Sequence, residues 1–229
     1  MVEKRVSEAV LLRAMSTGAD YAELYVEDTT AEGVSMIADC VDSANTSRSK
    51  GAGVRVFCGT NSVYAYGNGT DEASLLALAD KVAAAAGTAR SAGIDLVLSD
   101  VRFEPLCRAE TAVSSVPKKE RAEALKQAYF AAKNYSDSIA QVRASLNSSV
   151  KRVYLANSEG VIGSDERPYI RLAVSSVASD GSENQSGFIS RPQWTVSCPR
   201  TLTPGLLTHT GRSGARALIC AVISRCQSM

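Results

Sequence analysis

The chain has 229 residues, of which 45% are hydrophobic and 21% are charged. This composition is that of a folded protein with a core, and it excludes an intrinsically disordered chain. A formal net charge of +1 excludes a nucleic-acid or membrane-surface binder that works through bulk positive charge. No apolar run approaches the roughly 20 residues of a membrane span. The first residues lead into an amphipathic segment, not into a signal peptide, so we expect a cytoplasmic protein.

Charge is distributed unevenly along the sequence. Residues 1–187 contain 20 Lys and Arg and all 24 Asp and Glu, whereas residues 188–229 contain five Arg, no Lys and no acid. The second segment also holds the only Trp, the only His and half of the Cys and Pro residues. Such a composition fits GC-rich coding DNA read in a shifted frame, and the alternative is a natural basic arm for an anionic partner. We expect a folded region over 1–187 and an atypical basic tail, out of frame or disordered, over 188–229.

The first half of the chain predicts two helices with strands between them. Apolar spacing predicts a helix over 2–16, and strict alternation over 20–29 predicts a half-buried strand. The two sides of that strand are Tyr21, Glu23, Tyr25 and Glu27, and Ala22, Leu24 and Val26. A second strand is expected over 33–41, followed by a polar loop over 42–50.

A hairpin is expected from Val54 to Tyr66, entered through a turn at residues 51–53. The second helix follows, with Thr70 as its N-cap and Gly87 as its end.

The second half repeats this order of elements. After a connector over 96–115, a helix is expected from Pro117 to about Tyr135. Strand-like segments follow at 139–146, 152–157, 161–164 and 169–179, with turns at 157–160 and 165–168. Each half combines helices with hairpins and shows no regular β-α-β alternation, which predicts an α+β fold with a mostly antiparallel sheet. We expect one domain over 1–187, with sub-parts of about 1–95 and 117–187.

Residues of catalytic type are sparse. His209 is the only histidine, so no metal site with two imidazoles can form, and none of the six cysteines forms a C-x-x-C pair. Ser47 and Lys50 match S-x-x-K but lie in a polar segment without helical periodicity. We assign no catalytic residue and no metal ligand. The polar run 180–187 follows a strand, and its side chains, above all Asp180, Glu183 and Asn184, are candidates for holding a peptide backbone.

In this order, five segments resemble the TldD/PmbA family, and they look more like TldD than PmbA/TldE. They are residues 18–27 (GADYAELYVE), 51–56 (GAGVRV), 63–66 (VYAY), 156–160 (ANSEG) and 174–188, after which the pattern stops at about Phe188. Asn157 and Glu159 belong to the fourth segment and join the candidate substrate-binding residues.

The resemblance implies a zinc metallopeptidase of a family once described as modulators of DNA gyrase. It implies an N-terminal α+β domain that helps to enclose a cavity for an extended peptide, and pairing as a homodimer or a TldD–TldE heterodimer. In such proteins a later domain carries H-E-x-x-x-H and a cysteine that hold the zinc. The 229 residues contain no H-E-x-x-x-H.

We therefore expect an N-terminal fragment of a TldD-type peptidase, truncated and inactive alone, with no cofactor of its own. Two alternatives stay open. One is a non-catalytic peptide-binding or regulatory subunit that pairs with an active partner, and the other is an unrelated adaptor that binds nucleic acid through its basic tail.

Overall fold

The computed structural model describes residues 2–87, 96–101 and 116–193. Within these ranges the helices are α1 (Lys4–Ala14), α2 (Glu72–Ala86) and α3 (Lys118–Lys133). The strands are β1 (Tyr21–Ile37), β2 (Cys40–Cys58), β3 (Asn61–Gly67), β4 (Ser99–Asp100), β5 (Ile139–Asn157), β6 (Val161–Ser179) and β7 (Asn184–Gln193). No helix among the described residues is long and apolar enough to cross a membrane.

The strands form a seven-stranded sheet in the order β3-β2-β1-β5-β6-β4, with β7 paired to β6. The β2–β3 and β6–β7 pairs are antiparallel, and the short β4 runs parallel to β6. The predicted α+β class with a mostly antiparallel sheet is confirmed.

The described residues divide into two compact units. Unit 1 comprises residues 2–29, 48–87, 96–101 and 151–166, and unit 2 comprises 30–47, 116–150 and 167–193. These units differ from the consecutive sub-parts expected from the sequence, because β1, β2, β5 and β6 each contribute residues to both.

In unit 1, α1 and α2 pack on the buried side of β1. The even-numbered residues Ala22, Leu24 and Val26 are buried, whereas the odd-numbered ones are half-buried, which confirms the predicted alternation. They share one core with β2 and both helices, including Val10, Leu11, Val54, Val56, Leu75 and Val82. Burial of apolar surface on this side therefore leaves the other side of β1 to polar and aromatic residues.

The ends of α2 follow its capping chemistry. Asp71 is the N-cap, and its Oδ1 accepts a hydrogen bond from the Ser74 amide at 3.0 Å. The prediction of Thr70 as N-cap was therefore wrong by one residue, because a carboxylate next in the chain satisfies the free amide. Gly87 adopts φ 62° and ends the helix as predicted.

In unit 2, α3 packs on β5 and β6 through Leu125, Ala128, Tyr129 and Ala132. Its first turn carries Arg121, which is only 4% exposed. The Arg121 guanidinium forms an ion pair with Glu32 and donates hydrogen bonds to the Val116 carbonyl at 2.9 Å and to Ser148 Oγ at 3.3 Å. A buried charge with all these partners is compensated.

Three predicted breaks in the strands were wrong. Residues 21–37 form one strand and not two, and β5 likewise joins the segments predicted at 139–146 and 152–157. The predicted turn at 165–168 lies inside β6, where Pro168 falls between the pairing with β4 at 161–162 and the pairing with β7 at 170–179. On that edge of β6 neither pairing includes residue 168, so a proline there interrupts no pairing with β4 or β7.

The polar segment 42–50 is a strand and not the predicted loop. It belongs to β2, and all its residues are exposed. Its composition lacks alternation because both of its faces are in solvent, so the usual strand signal is absent.

The predicted turn at residues 51–53 also lies inside β2. Glycine at position 53 lets the Tyr64 ring of β3 lie over the backbone, because a Cβ atom there would come within 2.6 Å of Cε2 of that ring and the ring would have to move. This glycine therefore serves close packing across the pair of strands, as glycine in a strand often does.

A two-residue turn joins β1 to β2. Ala38 and Asp39 adopt φ 50° and 65°, the left-handed region that a type I′ hairpin turn requires. The Asp39 amide donates a hydrogen bond to the Tyr129 hydroxyl at 3.1 Å, which ties the turn to α3 within unit 2. The sequence contains neither Asn-Gly nor Asp-Gly here, so the turn was not predicted.

Candidate functional site

The side of β1 that faces away from the unit 1 helices carries a hydrogen-bonded cluster around Glu27. Tyr25 Oη and Thr29 Oγ1 each donate to the Glu27 carboxylate at 2.8 Å, and Lys151 Nζ lies 2.7 Å from Glu27 Oε2. The hydrogen bond from Lys151 holds the pKa of Glu27 below its usual value, and the same bond raises the pKa of Lys151. Burial raises the pKa of Tyr25.

At neutral pH this cluster therefore holds a carboxylate, an ammonium and a neutral phenol. None of the three titrates near pH 7, so the cluster is suited to holding polar groups and not to general acid–base catalysis.

Aromatic residues continue the same side of unit 1 toward β3. The Arg55 guanidinium carbon lies 5.3 Å from the centre of the Tyr64 ring and 6.0 Å from that of Phe57, and Arg55 Nη1 is 3.4 Å from Glu23 Oε1. Tyr64 and Tyr66 stack with ring centres 5.9 Å apart, and Tyr66 is 76% exposed. Rings held this way offer apolar contact area at low entropic cost and can receive side chains of an extended peptide.

We call this surface the open face of unit 1; it is formed by Tyr21, Glu23, Tyr25, Glu27, Arg55, Phe57, Tyr64, Tyr66 and Lys151. Sequence reasoning found only its β1 part, through the alternation of residues 20–29. The contributions of Lys151, Arg55 and Tyr64 were missed because they depend on which strands are neighbours.

Asn157 and Glu159 share the turn between β5 and β6. Asn157 is 8% exposed, and its Oδ1 accepts hydrogen bonds from the amides of Glu159 at 3.1 Å and Val161 at 3.0 Å. Ser158 joins this turn to β1 through two hydrogen bonds with the Ala22 backbone. The Asn157 side chain therefore shapes the turn, and Glu159 is the exposed residue that the turn presents.

Asp180, Glu183 and Asn184 share the hairpin between β6 and β7. Asp180 Oδ1 accepts from the amides of Ser182 at 2.9 Å and Glu183 at 2.8 Å, and from Ser182 Oγ at 2.9 Å. These bonds, the one from the Glu183 amide foremost, lower the pKa of Asp180 to about 2. Asp180 is thus a turn-forming residue, while Glu183 and Asn184 are exposed. Asn184 begins β7, so the predicted polar loop 180–187 is half strand.

The five candidate residues thus form two groups. Asn157 and Glu159 belong to unit 1, whereas Asp180, Glu183 and Asn184 belong to unit 2.

Zinc has no suitable donor set among the described residues. No group of three His, Cys, Asp or Glu side chains within them could hold a metal ion, and His209 lies outside the described ranges. Of the cysteines there, Cys40 is exposed and Cys58 is half-buried, and both are free thiols. The residues in hand therefore do not fit a zinc site.

Two family models match the sequence. Residues 22–86 match the first domain of the PmbA/TldA metallopeptidases, and residues 112–197 match their central domain. Together these matches cover about two thirds of the chain. The chain belongs to the TldD/PmbA family.

Known relatives agree with this assignment. A metalloprotease TldD homologue from Buchnera aphidicola is 26% identical over 170 residues, which cover 73% of this chain and 35% of that protein. A solved structure from Bacteroides thetaiotaomicron, described as a modulator of DNA gyrase, superimposes with a TM-score of 0.73 at 12% identity, covering 94% of this chain and 49% of that one. TldE from Thermococcus kodakarensis gives a TM-score of 0.68 at 13% identity, covering 90% and 46%.

This TldD/PmbA chain therefore spans about a third to a half of the length of the proteins that it resembles. The match to the central domain reaches residue 197, and β7 runs to Gln193. The end of the family pattern at Phe188, as read from the sequence, is thus too early. The family pattern extends past Phe188 because β7 stays paired with β6 beyond that residue, as far as Gln193, which lies opposite Ile170.

Proposed function

We propose that this chain is the N-terminal, peptide-holding part of a TldD-type zinc metallopeptidase, in which the H-E-x-x-x-H zinc site lies in sequence that these 229 residues do not include. The observation that carries the proposal is the match to both the first and the central metallopeptidase domains without any H-E-x-x-x-H in the chain. On this proposal the chain binds unfolded or extended peptides but does not cleave them alone.

The open face of unit 1 supports a peptide-holding role. Its aromatic rings can pack against apolar side chains, and the charged pairs Glu27–Lys151 and Glu23–Arg55 can hydrogen-bond a peptide backbone. Among the candidate residues of unit 1, Asn157 holds its turn in shape and Glu159 is a proposed substrate contact. Among those of unit 2, Asp180 holds its turn in shape, and Glu183 and Asn184 are separate proposed contacts. Assembly as a homodimer or a TldD–TldE heterodimer belongs to the same proposal.

Peptide binding is testable on the full chain with a fluorescein-labelled unfolded casein as the probe. We expect saturable binding by fluorescence anisotropy and no cleavage of the probe. Tyr66→Ser removes a largely exposed ring of the open face and should weaken binding several-fold. Leu12→Ser, which changes an exposed residue of α1, is the matched control and should bind as the unaltered chain does. Equal affinities of the Tyr66→Ser variant and the unaltered chain would contradict this use of the face.

The composition break after residue 187 also belongs to this proposal. We propose that the sequence leaves the family's reading frame near the end of the central domain. The test is the nucleotide sequence from about codon 180 to well beyond codon 229. Another frame that continues into H-E-x-x-x-H supports a peptidase gene with a frameshift.

A confirmed present frame, with no such motif downstream in any frame, supports the alternative. In that case the chain is a non-catalytic peptide-binding or regulatory subunit that completes a site with an active partner.

A further inference from the structure

The strand β3 has a free edge in the described part of unit 1. It is the last strand in the order of the sheet, and its one neighbour there is β2. The register between the two strands runs from Asn61 to Gly67 of β3 without a bulge. Among the described residues, no backbone hydrogen bond outside this pairing involves residues 61–67. One edge of the β3 backbone therefore has no partner in this part of the chain.

The turn before β3 determines which of its residues face the free edge. This turn has two residues, 59 and 60, and is closed by the pair Cys58 and Asn61. The closing pair of such a hairpin is bonded within the hairpin, and the direction of the backbone groups alternates from one residue to the next. The backbone groups that point away from β2 are therefore those of three residues, Ser62, Tyr64 and Tyr66.

Nothing in the sequence of β3 protects this edge. Proteins usually blunt an edge with a charged residue, a proline or a bulge, and β3 contains neither a charged residue nor a proline. Valine and two tyrosines among its seven residues favour an extended backbone. An edge of this kind accepts a further strand, and the backbone of an extended peptide supplies the matching donors and acceptors.

The two sides of β3 offer contacts to the side chains of an added strand. On the open face, Tyr64 is 50% exposed and Tyr66 is 76% exposed, and their rings stack. On the α2 side, Val63, Ala65 and the α2 residue Leu76 pack against the unit 1 core but are only half-buried. A strand beside β3 can cover more of this apolar surface, because its side chains alternate between the two sides.

We propose that the peptide binds as an added strand along the β3 edge, bonded to the backbone of Ser62, Tyr64 and Tyr66. The inference rests on the proposed peptide-holding function and adds the edge and the conformation in which the peptide is held. Every second peptide side chain meets the tyrosine rings, and the intervening ones meet the half-buried apolar residues on the α2 side. The edge therefore favours extended segments with apolar side chains.

Ser62→Pro tests the backbone contact in the full chain, with the labelled unfolded casein as the probe. Proline removes the Ser62 N–H and is tolerated in an edge strand where that N–H faces away from the neighbouring strand. The variant should melt cooperatively but bind casein about tenfold more weakly, because a peptide carbonyl is left without its donor. Ser62→Ala keeps the N–H and loses only the hydroxyl, so it is the matched control and should bind as the unaltered chain does.

A peptide with a blocked backbone tests the same contact without altering the protein. The probe is a fluorescein-labelled octapeptide of four Val-Ser repeats. N-methylation of its two central valines and N-methylation of its two central serines block amides that point to opposite edges of an extended strand. One of the two analogues should bind about tenfold more weakly, and the other should bind as the unmethylated peptide does.

The outcomes separate this inference from the function on which it rests. Equal binding of the two methylated peptides, no binding of the octapeptide, or equal casein affinities of folded Ser62→Pro and the unaltered chain would overturn strand addition at β3 and leave the peptide-holding role intact. Absence of any saturable casein binding would overturn that role, and this inference with it. A dimer in sedimentation velocity that Ser62→Pro dissociates, without a change in casein binding, would assign the edge to a second copy of the chain.

Discussion

At the scale of single residues, Asn157 is a turn former and not a free ligand for substrate. Replacement by Ala removes the acceptor of two backbone amides in a buried turn, and we expect a loss of about 1–3 kcal/mol in the free energy of unfolding. Urea denaturation monitored by circular dichroism measures this loss. Asn157→Asp keeps the acceptor oxygen and should lose much less, and equal losses for the two variants would contradict the assignment.

Glu27 makes the stability of the folded chain depend on pH, and its contribution is lost in acid. Its pKa in the folded chain lies below the ordinary value of 4.5, so its stabilising contribution is fully present above that value and is lost as the pH falls through the folded-state pKa. Glu27→Gln should therefore lower stability at pH 7 by about 0.2–1 kcal/mol, the range of half-exposed ion pairs. The difference from the unaltered chain should shrink below pH 4.5 in denaturation curves recorded at several pH values. A difference that grows in acid would refute this account.

At the scale of elements, the hairpin tip between β1 and β2 carries a conformational cost. Ala38 occupies a left-handed conformation, which disfavours any side chain with a Cβ by roughly 1–2 kcal/mol. Ala38→Gly should therefore raise the melting temperature measured by calorimetry. Ala44→Gly in exposed β2 is the matched control and should lower it, because glycine weakens a strand interior. Destabilisation by both substitutions would show that the tip is not strained.

The last strand extends the folded region past the composition break. Residues 188–193 of β7 pair with residues 170–175 of β6. A chain shortened after residue 187 should thus unfold at lower urea concentration than one shortened after residue 197. Equal midpoints for the two chains would mean that the last half of β7 contributes no stability.

Prediction from the sequence succeeded for elements that are determined by short-range sequence patterns. The alternation of residues 20–29, the hairpin of β2 and β3, and the end of α2 at Gly87 all follow from short-range rules. The polar stretch 42–50 was misread because a strand exposed on both faces has no hydrophobic period. Pro168 was misread because its tolerance depends on which strands lie beside β6. For the same reason the partnership of Glu27 with Lys151, 124 residues apart in the sequence, could not be foreseen.

At the scale of the whole molecule, the two units are interleaved along the sequence. Because β1, β2, β5 and β6 each belong to both units, neither unit corresponds to a continuous stretch of sequence. Residues 1–95 expressed alone would lack the β5 and β6 segments of unit 1, including Tyr154 and Ala156 of its core. We expect that such a fragment shows no cooperative melting by calorimetry, whereas residues 1–197 do. A cooperative transition for residues 1–95 would contradict this.

The hydrogen bond from the Asp39 amide to the Tyr129 hydroxyl has a kinetic consequence. The two residues are 90 positions apart, so this contact closes a long loop and forms only after α3 has docked. For that reason the β1–β2 turn should gain its full protection from hydrogen exchange late in refolding, although its residues are adjacent in the chain. The Asp39 amide would then acquire resistance to hydrogen exchange together with the core of α3, and after the amides of the β2–β3 hairpin.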